Sequence, residues 1–236
     1  MQKVIAIVPV APMRAEASHR AEMVSQMLLG EIAEVIEVGK DFTQIKTELN
    51  AYEGWVQNAQ LTPFLHGDAE MKLLGFAKDN GTILFNGQPM FISIGTPVFD
   101  IKHLGQYAVD YSSIVGEKGL SFSDENLKAI AFKLLNTAYL WGGRAAFGID
   151  CSGYAQLVYK FFDVFLPRDT YQQATVGETI DFLEQSRLGD LAYFDNADGR
   201  IIHVGILLDE QTIVHSSGKV RIDKIDAQGI VNVDTG

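Results

Sequence analysis

Leu140-Trp141-Gly142-Gly143, then six residues, then Asp150-Cys151-Ser152-Gly153-Tyr154, is the stretch that decides how this chain is read. The one cysteine of the chain stands where a turn-rich segment passes into an apolar-periodic one, and its neighbours are Asp, Ser and Gly. A lone cysteine is usually a small buried hydrophobe, and such a thiol would have apolar neighbours. Asp150 or Cys151 opens a helix with Tyr154, Ala155, Leu157, Val158, Phe161 and Phe162 on one face. A thiol in that first turn feels the positive end of the helix, which is expected to lower its pKa. The unpaired N–H groups of the same turn suit an oxyanion.

Two histidines follow, in Ile202-His203-Val204-Gly205 and in Val214-His215-Ser216-Ser217-Gly218. On a strand over Ile201–Leu208, His203 shares a face with Ile201 and Gly205, which makes it the candidate general base. His215 ends the next strand, Thr212–His215, beyond a turn at Asp209-Glu210, and is the candidate to orient and polarise that imidazole. A single cysteine with separate histidines is the outline of a thiolate–imidazole nucleophile. His19, His66 and His103 have no comparable setting and read as surface or structural residues.

Working outward, Ser123 caps a helix with Asp124 and Glu125 in its first turn and an apolar stripe of Leu127, Ile130, Ala131, Leu134, Leu135 and Ala138, ended by Trp141-Gly142-Gly143. A strand over Asp190–Phe194 precedes the two histidine strands. Helices followed by an antiparallel sheet make residues 123–236 an α+β domain. Residues 1–62 read as a small β-barrel, with strands at Val4–Val10, Ile32–Val38, Thr43–Glu48 and Gly54–Gln57 and a connecting segment at Glu22–Leu29. Residues 63–122 read as a β-rich connector or a degenerate second barrel. Within them Thr82–Phe85 and Met90–Ile94 flank Asn86-Gly87, a hairpin signal, and His103–Val109 is a strand or a helical turn.

A net charge of −11 over 236 residues counts against nucleic acid and against anionic membrane surfaces, both of which call for a basic face. One cysteine excludes an internal disulfide and multi-cysteine metal sites. No stretch approaches the about 20 apolar residues of a membrane span. The run from Met1 to Ala11 is broken by Pro9 and followed by Pro12 and Arg14, so it reads as a first β-strand of a cytoplasmic protein rather than as a secretory signal.

Over about residues 124–218 the chain resembles the NlpC family of papain-like cysteine peptidases, which cut peptidoglycan stem peptides. The resemblance rests on Tyr139-Leu140-Trp141-Gly142-Gly143, Asp150-Cys151-Ser152-Gly153, Leu166-Pro167-Arg168-Asp169-Thr170-Tyr171-Gln172-Gln173, Leu188-Gly189-Asp190-Leu191, His203-Val204-Gly205-Ile206 and Ile213-Val214-His215-Ser216. It implies Cys151 as nucleophile, His203 as base, His215 as orienting residue, and no metal or organic cofactor. Val8-Pro9-Val10, Gln26-Met27-Leu28-Leu29-Gly30-Glu31 and Tyr52-Glu53-Gly54-Trp55-Val56 are similar to the SH3-like domain of γ-D-glutamyl-L-diamino acid endopeptidases, also called dipeptidyl-peptidases VI. That resemblance implies release of L-Ala-γ-D-Glu from murein tripeptides or tetrapeptides with a free L-Ala amine. It implies Tyr52, Asp150, Ser152, Asp169 and Thr170 as substrate-binding residues.

A buried ammonium needs a carboxylate, for which Asp169 and either Glu16 or Glu22 are candidates. Trp141 is expected to pack beneath the site. Relatives commonly continue into a final strand where this chain reaches Val233-Asp234-Thr235-Gly236, so an exposed sheet edge is expected if that strand is lacking. Three rival readings stay open: a wall-lytic endopeptidase or N-acetylmuramoyl-L-alanine amidase, an inactive murein-peptide-binding protein, and acyl transfer to an amine.

Overall fold

The computed structural model describes residues 2–65, 71–180 and 182–235; His66 lies outside them. Strands β1 (Lys3–Ala6), β2 (Val10–Arg14), β3 (Met23–Leu28), β4 (Ile32–Val38), β5 (Phe42–Thr47), β6 (Glu53–Gln57) and β7 (Leu61–Pro63) form one antiparallel sheet in the order β3-β2-β6-β5-β4-β1-β7. It closes around Val4, Ala6, Ala11, Met13, Met27, Ala33, Ile45 and Val56. The expected strand Val4–Val10 is two strands, because the chain turns between Ala6 and Val10, ahead of and through Pro9. The expected connecting segment at Glu22–Leu29 is strand β3. Its polar Ser25 and Gln26 break the apolar alternation, yet both are buried, because this strand faces the C-terminal domain.

Residues 73–117 fold into β8 (Leu73–Ala77), β9 (Gly81–Phe85), β10 (Gln88–Ile92), β11 (Pro97–Phe99), β12 (His103–Leu104), β13 (Tyr107–Asp110) and β14 (Gly116–Glu117). They pair as two small sheets, β10-β9-β13-β12 and β11-β8-β14. Asn86 and Gly87 both take positive φ, 48° and 72°, which is the turn the hairpin signal demands. Ala77, Ile83, Ile92, Val98, Leu104 and Val109 pack here with Ile5 of β1 and Leu29 of the turn after β3, while Phe76 and Ile94 join the C-terminal core. The segment therefore has a core of its own and is fused to both neighbours. Buried Lys160 ties it to the C-terminal domain by donating to the Gly95 carbonyl at 2.6 Å.

The C-terminal domain contains α1 (Asp124–Ala131), β15 (Arg144–Ala145), β16 (Gly148–Ile149), α2 (Cys151–Tyr159), α3 (Thr170–Gln173), β17 (Leu191–Asp195), β18 (Ile201–Asp209), β19 (Thr212–Ser217), β20 (Lys219–Asp226) and β21 (Gly229–Val231). Ser123 caps α1 as expected, accepting from the Asn126 N–H at 3.2 Å. The helix stops earlier than its apolar stripe suggests. A single 3-10 turn follows, Asn136 enters the left-handed region at φ 66°, and Ala138 and Tyr139 bridge to Lys219 and Ile149. The faces of α1 and α2 pack on Ile206, Leu208, Val214 and Val220 of the sheet. The sheet does not end at His215, because β20 and β21 continue it in the order β17-β18-β19-β20-β21. Strand content exceeds helix content throughout, but the layering of helices on an antiparallel sheet fits the α+β expectation.

Candidate active site

The turn at Trp141-Gly142-Gly143 sets the first barrel against the C-terminal domain. Gly142 has φ 77°, and a Cβ there would lie 2.3 Å from the Met23 carbonyl oxygen, so only glycine lets β3 approach so closely. Next to it Arg144, itself buried, forms a forked ion pair with Glu31 at 3.0 and 3.2 Å and donates to the Gln26 carbonyl. The interface leaves a cavity of about 700 Å³. Its walls include Glu22 and Tyr52 from the first barrel and Tyr139, Trp141, Cys151, Asp169 and Arg200 from the C-terminal domain.

Asp150, Ser152 and Thr170 line the same cavity, so all five residues expected to bind substrate meet Cys151 in one space. Asp150 caps α2 by accepting from the Gly153 N–H at 2.7 Å, and its other oxygen accepts from the Gly142 N–H at 2.9 Å. Both oxygens also take a guanidinium N–H of Arg168. Arg168 is 2% exposed and reaches further, to Ser152 Oγ at 2.6 Å and Ser25 Oγ at 3.2 Å. One arginine therefore ties the start of α2 to strand β3. Its position in the Leu166–Gln173 stretch marked it only as a motif residue; nothing in the sequence marked it as the counterion of Asp150.

Tyr52 donates to Asp169 Oδ1 at 3.3 Å across the domain boundary. Glu22, not Glu16, lines the cavity, and its Oε1 accepts from Trp141 Nε1 at 2.6 Å. Trp141 does not pack beneath the site: it is 61% exposed and stands at the rim. His19 packs edge-on to Phe42, and His103 is exposed on β12.

The Cys151 sulphur accepts from the backbone N–H of Val204, the residue after His203. Burial, and next the Asp150 charge, push the thiol up to about 11, against the lowering expected from the helix end. Desolvation outweighs the helix terminus here because the thiol sits in the Ala155–Leu166–Val204 cluster. Burial, with His215 adding to it, holds His203 down to about 4. The resting pair at neutral pH is thus an uncharged thiol and an uncharged imidazole.

His203 Nε2 lies 2.7 Å from His215 Nδ1, and His215 Nε2 lies 3.0 Å from Asp223 Oδ2. Gly205 makes this possible. It pairs with His215 in register, and a Cβ on it would lie 2.9 Å from His215 Cβ. Asp223, on β20, was not marked by the sequence, since a strand aspartate beyond the motifs has no distinguishing pattern. It is held by the Val233 N–H at 3.0 Å and by Arg221 at 2.9 Å. An ionised Asp223 fixes the tautomers: His215 donates through Nε2, its Nδ1 accepts from His203 Nε2–H, and His203 Nδ1 is left bare.

Asp223 meets the histidine pair only at His215, so in a reaction run by His203 it would act as a positioning residue. Asp223→Asn is expected to lower kcat about tenfold to a hundredfold with little change in KM. Steady-state kinetics beside a denaturation curve checks this. A shifted denaturation midpoint with unchanged kcat would leave Asp223 a purely structural role.

A thiol at the head of a helix, packed on an antiparallel sheet that carries two histidines, is the arrangement of the papain-like fold. Residues 136–234 match the NlpC/P60 family, and residues 13–61 match the bacterial dipeptidyl-peptidase SH3 domain. The chain belongs to the NlpC/P60 family of cell-wall peptidases. It is 35% identical over 115 residues to a probable endopeptidase of Haemophilus influenzae, covering 47% of this chain and 68% of that one. It is 32% identical over 128 residues to the γ-D-glutamyl-L-lysine dipeptidyl-peptidase of Bacillus subtilis, covering 49% of this chain and 42% of that one. The chain spans less than two thirds of the length of the first curated relatives it matches. An NlpC/P60 family protein from Bacillus cereus superposes with a TM-score of 0.79 at 18% identity, over 96% of this chain and 95% of that one, which establishes the shared fold.

Proposed function

We propose that the chain is a cysteine peptidase that hydrolyses the γ-D-Glu–diamino acid bond of free murein tripeptides or tetrapeptides. It releases L-Ala-γ-D-Glu and serves peptidoglycan recycling in the cytoplasm. The observation that carries this reading is the placement of Glu22 and Tyr52, both from the first barrel, in one cavity with Asp169 and Cys151. A cleft walled by a second domain and furnished with carboxylates suits a substrate that ends there in a charged amine.

In this reading the bare His203 Nδ1 takes the Cys151 proton as sulphur attacks the γ-carbonyl carbon of D-Glu. The oxyanion accepts from the Cys151 N–H, first in α2 and so without an intrahelical partner. Tyr139 stands close enough to raise its pKa through Cys151, and burial is the larger cause of a phenol pushed up to about 12. It stays protonated and donates to the same oxyanion. The intermediate collapses with cleavage of the C–N bond, and His203 gives its proton to the leaving amine. Water, deprotonated by His203, then opens the thioester, which frees the carboxylate and restores the thiol.

The test is incubation with L-Ala-γ-D-Glu-meso-diaminopimelate and its N-acetylated form, with products followed by mass spectrometry. Release of the dipeptide from the free-amine peptide alone is expected. Equal cleavage of both would sink the closed-cleft reading and favour a wall-lytic enzyme.

A further inference from the structure

Two guanidiniums line the cavity. Arg168 is buried and bonded to Asp150, Ser152 and Ser25. Arg200 differs in every respect. It closes the turn between β17 and β18, where its N–H donates to Asn196 Oδ1 at 3.0 Å and its carbonyl accepts from the Asn196 N–H at 2.9 Å. The backbone is fixed, but among the described residues no carboxylate or carbonyl engages its guanidinium.

Of the carboxylates that line the cavity, Asp150 is paired with Arg168, while Glu22 and Asp169 accept from the neutral donors Trp141 and Tyr52 and keep their charge for a substrate amine. Arg200 is exposed where it lines the cavity, so its guanidinium is open to an anionic group of a ligand bound there.

Its position says which group. Arg200 precedes Ile201, the first residue of β18, and His203 is three residues on, about 10 Å along an extended strand. Ile201 borders Thr170, whose Oγ1 donates to its carbonyl at 3.5 Å. In the proposed reaction His203 protonates the leaving amine beside Cys151, and the cavity wall that starts at Cys151 also includes Ile202, Ile201 and Arg200. The amine-binding end, with Glu22 and Tyr52, belongs to the first barrel.

We propose that Arg200 receives a carboxylate at the side-chain end of the leaving diamino acid, so that the chain prefers diaminopimelate to lysine at that position. This rests on the proposed peptidase activity. A guanidinium matches a carboxylate through two parallel N–H donors, which lysine, ending in an ammonium, would repel.

The experiment compares kcat/KM for L-Ala-γ-D-Glu-meso-diaminopimelate and L-Ala-γ-D-Glu-L-lysine in the whole chain and in Arg200→Ala and Arg200→Lys. A preference for the diaminopimelate peptide of about tenfold or more is expected, weakening as salt rises. In Arg200→Ala the ratio should collapse toward one, and Arg200→Lys should fall between. A ratio near one in the unaltered chain, or one that Arg200→Ala does not change, overturns the proposal. An equal loss on both peptides does so too, because it assigns Arg200 to a carboxylate that both share. Cleavage of neither peptide refutes the activity. Calorimetric binding of the two peptides to Cys151→Ala and to Cys151→Ala/Arg200→Ala then decides Arg200 by itself: a preference lost with Arg200 supports it, and equal binding overturns it.

Discussion

Cys151→Ala is expected to abolish hydrolysis of the murein peptide, with kcat down by about 10⁴-fold or more, while the peptide still binds. A nucleophile and its base act as a unit, so adding His203→Ala should lower the rate little further. Trapping a dipeptidyl thioester on Cys151 by mass spectrometry would identify the intermediate. Residual turnover in Cys151→Ala near that of the unaltered chain would sink the covalent mechanism.

The pH profile of kcat/KM follows from the same burial. His203 must be unprotonated to take the thiol proton, and burial holds it down to about 4. Activity should therefore stay level from neutral pH down to about pH 5 and fall as His203 gains its proton below that. An acid limb at the ordinary histidine value of about 6.5 would mean that the imidazole is better solvated than the structure has it.

Arg168→Ala is expected to destabilise the fold by about 3–5 kcal/mol, because it leaves the Asp150 carboxylate buried without its cation. Asp150 and Arg168 are 5% and 2% exposed, so little solvent screens the pair. The same change releases Ser152 Oγ and Ser25 Oγ, so activity should fall even where the protein remains folded. Chemical denaturation of Arg168→Ala beside the double variant Asp150→Asn/Arg168→Met measures this. The double variant should recover part of the loss, since no charge is then left unpaired. An unchanged denaturation midpoint in Arg168→Ala would show that solvent reaches Asp150. Arg168→Lys should restore only part, as a point charge cannot span both oxygens.

Much of the site was legible before any coordinates. A helix opening at Asp150 or Cys151, with the thiol in its first turn, and His203 sharing a face with Gly205 follow from local rules, the period of a helix or strand and the chemistry of a helix end. The hairpin at Asn86-Gly87 was equally plain, since few residues other than Asn and Gly accept two consecutive positive φ angles. What escaped was of another kind. Ser25 and Gln26 look like loop residues until Arg168 and Arg144 are packed on them. Asp223 has no local mark, because its partner, His215, is on the neighbouring strand. Trp141 reads as a core aromatic, yet the indole is held at the rim by Glu22 of the first barrel.

The sequence by itself determined the order of elements around Cys151, the two histidine strands and the barrel that precedes them, because those depend on residue spacing and end effects within one element. Only the tertiary structure decided the protonation of the thiol. A helix terminus lowers a thiol pKa and burial raises it, and the balance depends on what the rest of the chain stacks over the sulphur. It likewise decided that Glu22, Tyr52, Asp169 and Arg200 share one cavity, since long-range packing alone brings a barrel of the first sixty residues against a hairpin near residue 200.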